Sequence, residues 1–175
     1  MIKIDLKKVI REVPDFPKKG ILFYDITTLV KDAAAFKQTI DMLYDLVKNK
    51  KIDKVAAIES RGLIFGAPLA LKLGSGFVIM RKPGKLPADV ISESYNLEYG
   101  TNSIEVHKDA IKKGERVLLV DDLLATGGTM KAAVDLVEKL GGKIESILFV
   151  VELTFLNGRK KLKKYDVKSL LEYDK

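Results

Sequence analysis

The run Arg116-Val117-Leu118-Leu119-Val120-Asp121-Asp122-Leu123-Leu124-Ala125-Thr126-Gly127-Gly128-Thr129 decides how this chain folds. It opens on a short apolar run without polar alternation, the pattern of a strand covered on both faces. Asp121-Asp122 and a glycine-rich turn end that run, and helical periodicity follows from about Thr129 to Leu140, where Gly141-Gly142 stops it. A strand, a turn rich in glycine and a helix, in that order, form one unit of a parallel sheet with helices on its faces.

The same grammar extends outward on both sides. Lys54-Val55-Ala56-Ala57-Ile58, Phe77-Val78-Ile79-Met80 and a run over 144–153, with Ile147-Leu148-Phe149-Val150-Val151 at its core, are three further unalternating strands. Phe36, Ile40, Leu43 and Val47 fall at helical spacing over 32–47, with Asp32 placed to cap the start. A second helical segment follows Gly62 and ends near Gly74. These elements predict an α/β domain with an open, mainly parallel sheet. In such sheets ligands sit beyond the carboxyl ends of the strands, which points to the loops at 59–62 and 121–129. Residues 83–106 read differently. After Pro83, Gly84 and Pro87, Ile91, Tyr95, Leu97 and Tyr99 alternate with Ser92, Ser94, Asn96 and Glu98, and Ile104 and Val106 resume the alternation beyond Gly100. The pattern predicts a two-stranded excursion projecting from the domain, in the manner of a lid or binding loop.

Composition narrows the class. With 175 residues, 47% hydrophobic and 31% charged, the chain suits a single globular domain rather than a disordered one. It contains no cysteine, which excludes disulfides, thiolate catalysis and cysteine-ligated zinc, and suits a reducing cytoplasm. No secretion signal or membrane span is legible: the start, Met1-Ile2-Lys3-Ile4-Asp5-Leu6-Lys7-Lys8, mixes charge with aliphatic residues, and the longest apolar stretch, 63–71, is short and holds Pro68. The net charge of +7 admits a polyanion or a small anionic substrate as partner. The basic run Arg159-Lys160-Lys161-Leu162-Lys163-Lys164 has only Tyr165 as a neighbouring aromatic, so it reads as a solvated lysine-rich face and not a nucleic-acid surface.

The loop at 121–129 has a definite chemistry. Thr126-Gly127-Gly128-Thr129 offers backbone amides without side-chain obstruction, two hydroxyls and the start of a helix, which together make an anion cradle. Two carboxylates beside a phosphate would repel it, unless the same ligand presents hydroxyls or a divalent cation. A ribose carrying a 5′-phosphate meets that condition. Neither a Walker loop nor a dinucleotide fingerprint fits: Gly127-Gly128-Thr129-Met130-Lys131 has the wrong spacing, and Gly74-Ser75-Gly76 lacks a third glycine. The single histidine, His107, reads as a surface residue, so nucleophile–histidine catalysis has no evident basis.

The 117–129 segment resembles the phosphoribosyl pyrophosphate motif of the type I phosphoribosyltransferases. The segments Phe16-Pro17-Lys18-Lys19-Gly20-Ile21-Leu22-Phe23-Tyr24-Asp25-Ile26, Glu59-Ser60-Arg61-Gly62, Arg81-Lys82-Pro83-Gly84-Lys85-Leu86-Pro87, Tyr95-Asn96-Leu97-Glu98-Tyr99-Gly100 and Val151-Glu152-Leu153-Thr154 are similar, in order, to segments of the members that act on adenine. The resemblance implies a type I phosphoribosyltransferase fold: an open twisted sheet flanked by helices, an N-terminal hood over about 1–30 and a flexible lid over about 83–106. It also implies the reaction of adenine with phosphoribosyl pyrophosphate to give AMP and pyrophosphate.

Site roles follow from the same resemblance. Ala125, Thr126, Gly127, Gly128 and Thr129 would hold the 5′-phosphate, and Asp121 and Asp122 would face the ribose hydroxyls. Glu59, Ser60, Arg61, Arg81, Lys82 and Lys85 would receive pyrophosphate, Arg61 also being catalytic. Glu98 would exchange a proton with the purine and stabilise developing positive charge. Leu22 and Tyr24 would contact adenine through backbone groups, with Phe23 and Leu153 clamping the ring; several family members carry Arg where Tyr24 stands. Mg2+ is the implied cofactor, held mainly by substrate and water rather than by direct protein ligands, and a homodimer is the implied assembly. Two alternatives stay open: another purine base, or a regulatory protein that keeps the phosphoribosyl pocket as a sensor.

Overall fold

A computed structural model describes residues 4–96 and 101–175. Along the chain it contains α1 (Leu6–Val9), β1 (Arg11–Pro14), β2 (Leu22–Asp25), α2 (Thr27–Lys31), α3 (Ala33–Asp45), β3 (Lys54–Ile58), α4 (Arg61–Leu73), β4 (Gly76–Met80), β5 (Val90–Asn96), β6 (Thr101–His107), β7 (Arg116–Leu124), α5 (Gly128–Lys139), β8 (Lys143–Leu153), two 3-10 turns (Thr154–Leu156 and Gly158–Leu162) and β9 (Val167–Tyr173). The chain divides into two compact units, Met1–Met42 and Leu43–Lys175. The first unit takes in most of α3.

In the first unit β1 and β2 pair antiparallel, Arg11 opposite Asp25 and Pro14 opposite Leu22. Arg11 grips Asp25 through Nε at 3.1 Å and Nη2 at 2.5 Å. That hydrogen bond, with further ones from Thr27, lowers the Asp25 pKa to about 2. The Ile4 backbone and the Gln38 side chain exchange two hydrogen bonds of 2.8 Å, tying the start of the described chain to α3. Asp32 caps α3 as its sequence position predicts, its Oδ1 accepting from the Ala35 amide at 2.8 Å.

The second unit is built on a five-stranded sheet in the order β4-β3-β7-β8-β9, with every neighbouring pair parallel. The unalternating runs occupy its middle: Val55, Ala56 and Ala57 of β3, Leu118 to Val120 of β7 and Ile147 to Val151 of β8 are buried. Helix α5 seals one face with Met130, Ala133, Val134, Leu136 and Val137. Gly74 closes α4 in the left-handed region at φ 67°, a conformation that suits glycine.

Three expectations need correction. β7 does not end at Val120. It continues through Asp121 and Asp122 to Leu124, because Leu123 and Leu124 pair with Val151 and Glu152 of β8. The ladder outlasts the apolar run, and carboxylates are tolerated there because the carboxyl end of the strand opens onto a cavity. Next, β9 has no counterpart in the sequence reading; its polar residues Lys168, Ser169 and Glu172 hide the pattern of an edge strand.

The third correction concerns the excursion. β5 and β6 do pair antiparallel, Val90 opposite His107 through Asn96 opposite Thr101. They do not project freely. Ile104 and Val106 belong to the main core, Ile91 and Tyr95 pack against it, and Glu93 forms an ion pair with Lys139 of α5. The apolar side of the predicted alternation is thus the side that docks. His107, expected at the surface, is partly buried, and its Nε2 has no hydrogen-bond partner among the described residues.

Candidate functional site

The site lies where the sheet rule places it, beyond the carboxyl ends of β3 and β7. The turn after β7 passes through Ala125 and Thr126 to Gly127, which sits at φ 76° and precedes the first residue of α5. The amides of that first turn have no intrahelical acceptors, and the helix dipole adds positive potential. Residues 123–130, with Asp121 and Phe149, enclose a pocket of about 70 Å³. Its size and the free amides at the start of α5 suit one phosphate group.

A larger cavity of about 570 Å³ adjoins it and shares Asp121, Leu123 and Thr129 with it. The wall between β7 and α4 is formed by the two carboxylates. Asp122 is buried, and Arg61 Nε lies 2.7 Å from its Oδ2. The Asp121 carboxylate accepts from the Asp122 amide at 2.8 Å. Burial raises the pKa of both groups. For Asp121 the charge of Asp122 adds to the rise, whereas Arg61 pulls Asp122 back. The two groups titrate together, above the ordinary carboxylate range. Gly62 lets the start of α4 come this close: a Cβ there would stand 2.7 Å from Asp121 Oδ1 and 3.2 Å from the Val120 carbonyl oxygen.

The far wall carries cations. Glu59, at the end of β3, binds Arg81 Nε at 2.6 Å, the Lys82 amide at 2.9 Å and Lys85 Nζ at 3.5 Å. Burial works to raise the Glu59 pKa, but the Lys82 amide and the Arg81 guanidinium outweigh it and hold the group below its usual value. Arg81 Nη1 also donates to the Lys85 carbonyl at 3.1 Å, and Arg81 bridges to Glu105 of β6. Glu59 therefore arranges the cations, leaving Lys85, Lys82 and Arg81 lining the cavity beside Ser60 and Arg61. The Glu59–Ser60 peptide is cis.

Asp121, Asp122, Glu59, Ser60, Arg61, Arg81, Lys82, Lys85 and Thr129 all line the one cavity, although the sequence distributes them over three separate roles. Ala125, Thr126, Gly127 and Gly128 line the smaller pocket with Thr129. Leu22, Phe23 and Tyr24 lie on β2 of the first unit, where Tyr24 is buried and Phe23 meets Phe16 edge-on at 5.1 Å. Leu153 ends β8 in the second unit. Glu98 lies outside the described residues. Tyr95 and Asn102, which also line the cavity, went unread as site residues because an alternating strand gives no sign of which face meets a ligand.

Asp121 thus lines both the pocket at the start of α5 and, with Asp122, the cation-lined cavity, an arrangement suited to a sugar that carries phosphate at two positions. A model of the phosphoribosyl transferase domain matches residues 25–174, and the chain belongs to that family. Its sheet, helices and connectivity are those of the type I fold. Among its relatives is the adenine phosphoribosyltransferase of Caldanaerobacter subterraneus subsp. tengcongensis, 60% identical over 169 residues that cover 97% of this chain and 98% of that one. The crystal structure of the adenine phosphoribosyltransferase of Thermoanaerobacter pseudethanolicus superposes with a TM-score of 0.94 at 59% identity, covering 97% and 98% of the two chains. That of Saccharomyces cerevisiae, complexed with an imino-altritol bisphosphate and adenine, gives a TM-score of 0.90 at 43% identity, covering 95% and 97%.

Proposed function

We propose that this protein transfers the 5-phosphoribosyl group from phosphoribosyl pyrophosphate to adenine, forming AMP and pyrophosphate in purine salvage. The observation that carries this reading is the position of Asp121, which lines both the pocket at the start of α5 and, together with Asp122, the cation-lined cavity. The similarity to adenine phosphoribosyltransferases over nearly the whole chain supports adenine as the base.

In the reaction a purine nitrogen donates its electron pair to the anomeric carbon, and the bond from that carbon to pyrophosphate breaks, its electrons leaving with pyrophosphate. The 5′-phosphate is held by residues 125–129, and the ribose hydroxyls face Asp121 and Asp122. Binding of the ribose competes with the Arg61–Asp122 contact of 2.7 Å, so Arg61 becomes available to the leaving pyrophosphate. Arg81, Lys82 and Lys85 stabilise the same charge. By resemblance Leu22, Phe23 and Tyr24 of the first unit are assigned to adenine, as is Leu153 of the second, and Glu98 to proton exchange with the purine. The β5–β6 hairpin, as a lid, keeps water from the reacting carbon.

Mg2+, taking most of its oxygens from pyrophosphate, ribose hydroxyls and water, would fit the cavity that Asp121 and Asp122 line with hard oxygen donors. When bound, the ion neutralises the leaving group.

The active form is a homodimer; Ile64, Leu71 and Ile79, large apolar residues exposed on the second unit, are candidates for burial there, and sedimentation analysis tests it. No helix among the described residues is long and apolar enough to cross a membrane. A cytoplasmic location is supported by the absence of cysteine. The deciding experiment follows pyrophosphate release from phosphoribosyl pyrophosphate and Mg2+ with adenine, hypoxanthine, guanine, xanthine or orotate. Release with adenine alone is expected. Release with a different base would keep the transferase and discard adenine, and no release with any base would overturn the reading.

A further inference from the structure

The phosphate cradle is supported from behind by a segment that takes no part in the site described above. Glu152, on β8, pairs in register with Leu124, the residue before the cradle begins at Ala125. Its buried carboxylate receives Arg159 Nε at 2.7 and 2.9 Å and the Ser169 hydroxyl at 2.6 Å. Arg159 also donates through Nη1 to the Val167 carbonyl of β9 at 2.7 Å. The guanidinium thus ties the 3-10 turn Gly158–Leu162 to the ends of two strands.

Gly158, next to Arg159, lies directly against the cradle. A Cβ at Gly158 would run into the Ala125 carbonyl oxygen and would stand 3.1 Å from the Gly127 amide nitrogen. Reciprocally, a Cβ at Gly127 would stand 2.5 Å from the Gly158 carbonyl oxygen. The two backbones touch, and Leu162, fully buried, pins the other end of the turn into the core beside α5. Of the basic run 159–164, the four lysines are exposed, whereas Arg159 and Leu162 face inward.

We propose that Arg159, anchored on Glu152, and Gly158 are positioning residues that hold residues 125–128 in the conformation that receives phosphate. A backbone cradle has no side chain of its own to fix the amides, so its preorganisation must come from what packs behind it. Burial works to raise the Glu152 pKa, but Arg159 and Ser169 outweigh it and keep the carboxylate below its usual value, so the Glu152–Arg159 ion pair is fully charged at neutral pH.

The inference rests on the phosphoribosyl reading, and its test separates the two. Ribose 5-phosphate and pyrophosphate are titrated calorimetrically into the wild type and into Arg159→Ala, Arg159→Lys and Ser169→Ala. Arg159→Ala should weaken ribose 5-phosphate by about tenfold or more while pyrophosphate affinity stays within about twofold. Arg159→Lys should recover part of the loss, because it restores the charge without the planar fork. In turnover, the KM for phosphoribosyl pyrophosphate should rise more than kcat falls. Equal weakening of both anions, or unchanged ribose 5-phosphate affinity, would overturn the positioning role. If Arg159→Ala does not fold, the Arg159→Lys and Ser169→Ala pair decides by the same ratio. A wild type that binds neither anion would instead overturn the phosphoribosyl reading.

Discussion

The two regions proposed to bind anions, one beyond β7 and the other beyond β3 and β4, are built by opposite means. The first uses backbone amides, glycines and a helix start, and its charge is partial and fixed in direction. The second uses the full charges of Arg61, Arg81, Lys82 and Lys85, on side chains that Asp122 and Glu59 restrain. The difference suits the ligands proposed for them. A 5′-phosphate stays bound through the reaction, so a rigid cradle serves it. A leaving pyrophosphate gains charge as it departs, and side-chain cations drawn from their carboxylates can follow it.

The comparison is broken most severely at Gly127. Gly127→Val places a β-branched residue at φ 76° and against the Gly158 carbonyl oxygen, so kcat/KM for phosphoribosyl pyrophosphate should drop by roughly 10²–10³-fold. Pyrophosphate binding, measured by calorimetry, should survive; joint loss of both would mean that the two regions are not independent.

Arg61→Ala comes next, with an expected loss of about 10²-fold in kcat/KM. It also carries a pH signature. The paired carboxylates have raised pKa values, so activity that needs them ionised declines as pH falls, starting above the ordinary carboxylate range. Arg61 pulls Asp122 downward, and its removal should move that acidic limb to higher pH. A kcat/KM profile in which the limb stays in place would show that Arg61 does not govern the pair.

Glu59→Gln should act on the second region alone. Without the charge that gathers Arg81 and Lys85, pyrophosphate affinity should change by about tenfold, with ribose 5-phosphate binding unaltered. Smallest of all is Lys139→Ala, which removes a largely exposed ion pair to Glu93 between α5 and the hairpin. Its cost in urea denaturation should not exceed about 1 kcal/mol, and both anion affinities should hold.

The two regions also differed in how far they were legible. The cradle could be read from Asp121 to Thr129 because its parts are contiguous and each residue type has one physical reason to be there. The cation cluster could be assembled from sequence only through a family resemblance. Nothing in the string 59–62 or 81–85 says that Glu59 would take Arg81 and Lys85 as partners, or that Arg61 would rest on Asp122. The lid pattern was read correctly as two alternating strands, yet read as free, since alternation marks an apolar face without naming what covers it.

By itself the sequence determined the parallel α/β sheet, the positions of its central strands, and the glycine-rich turn with its carboxylate pair. Those depend on local periodicity, glycine placement and side-chain chemistry, which are carried by neighbours in the chain. Only the tertiary structure decided that β7 runs on to Leu124, that β9 closes the sheet, that the hairpin docks on α5, and that Gly158 and Arg159 lie behind the cradle. Each of these is a pairing between residues far apart in sequence, fixed by ladder register and close packing, which no local pattern encodes.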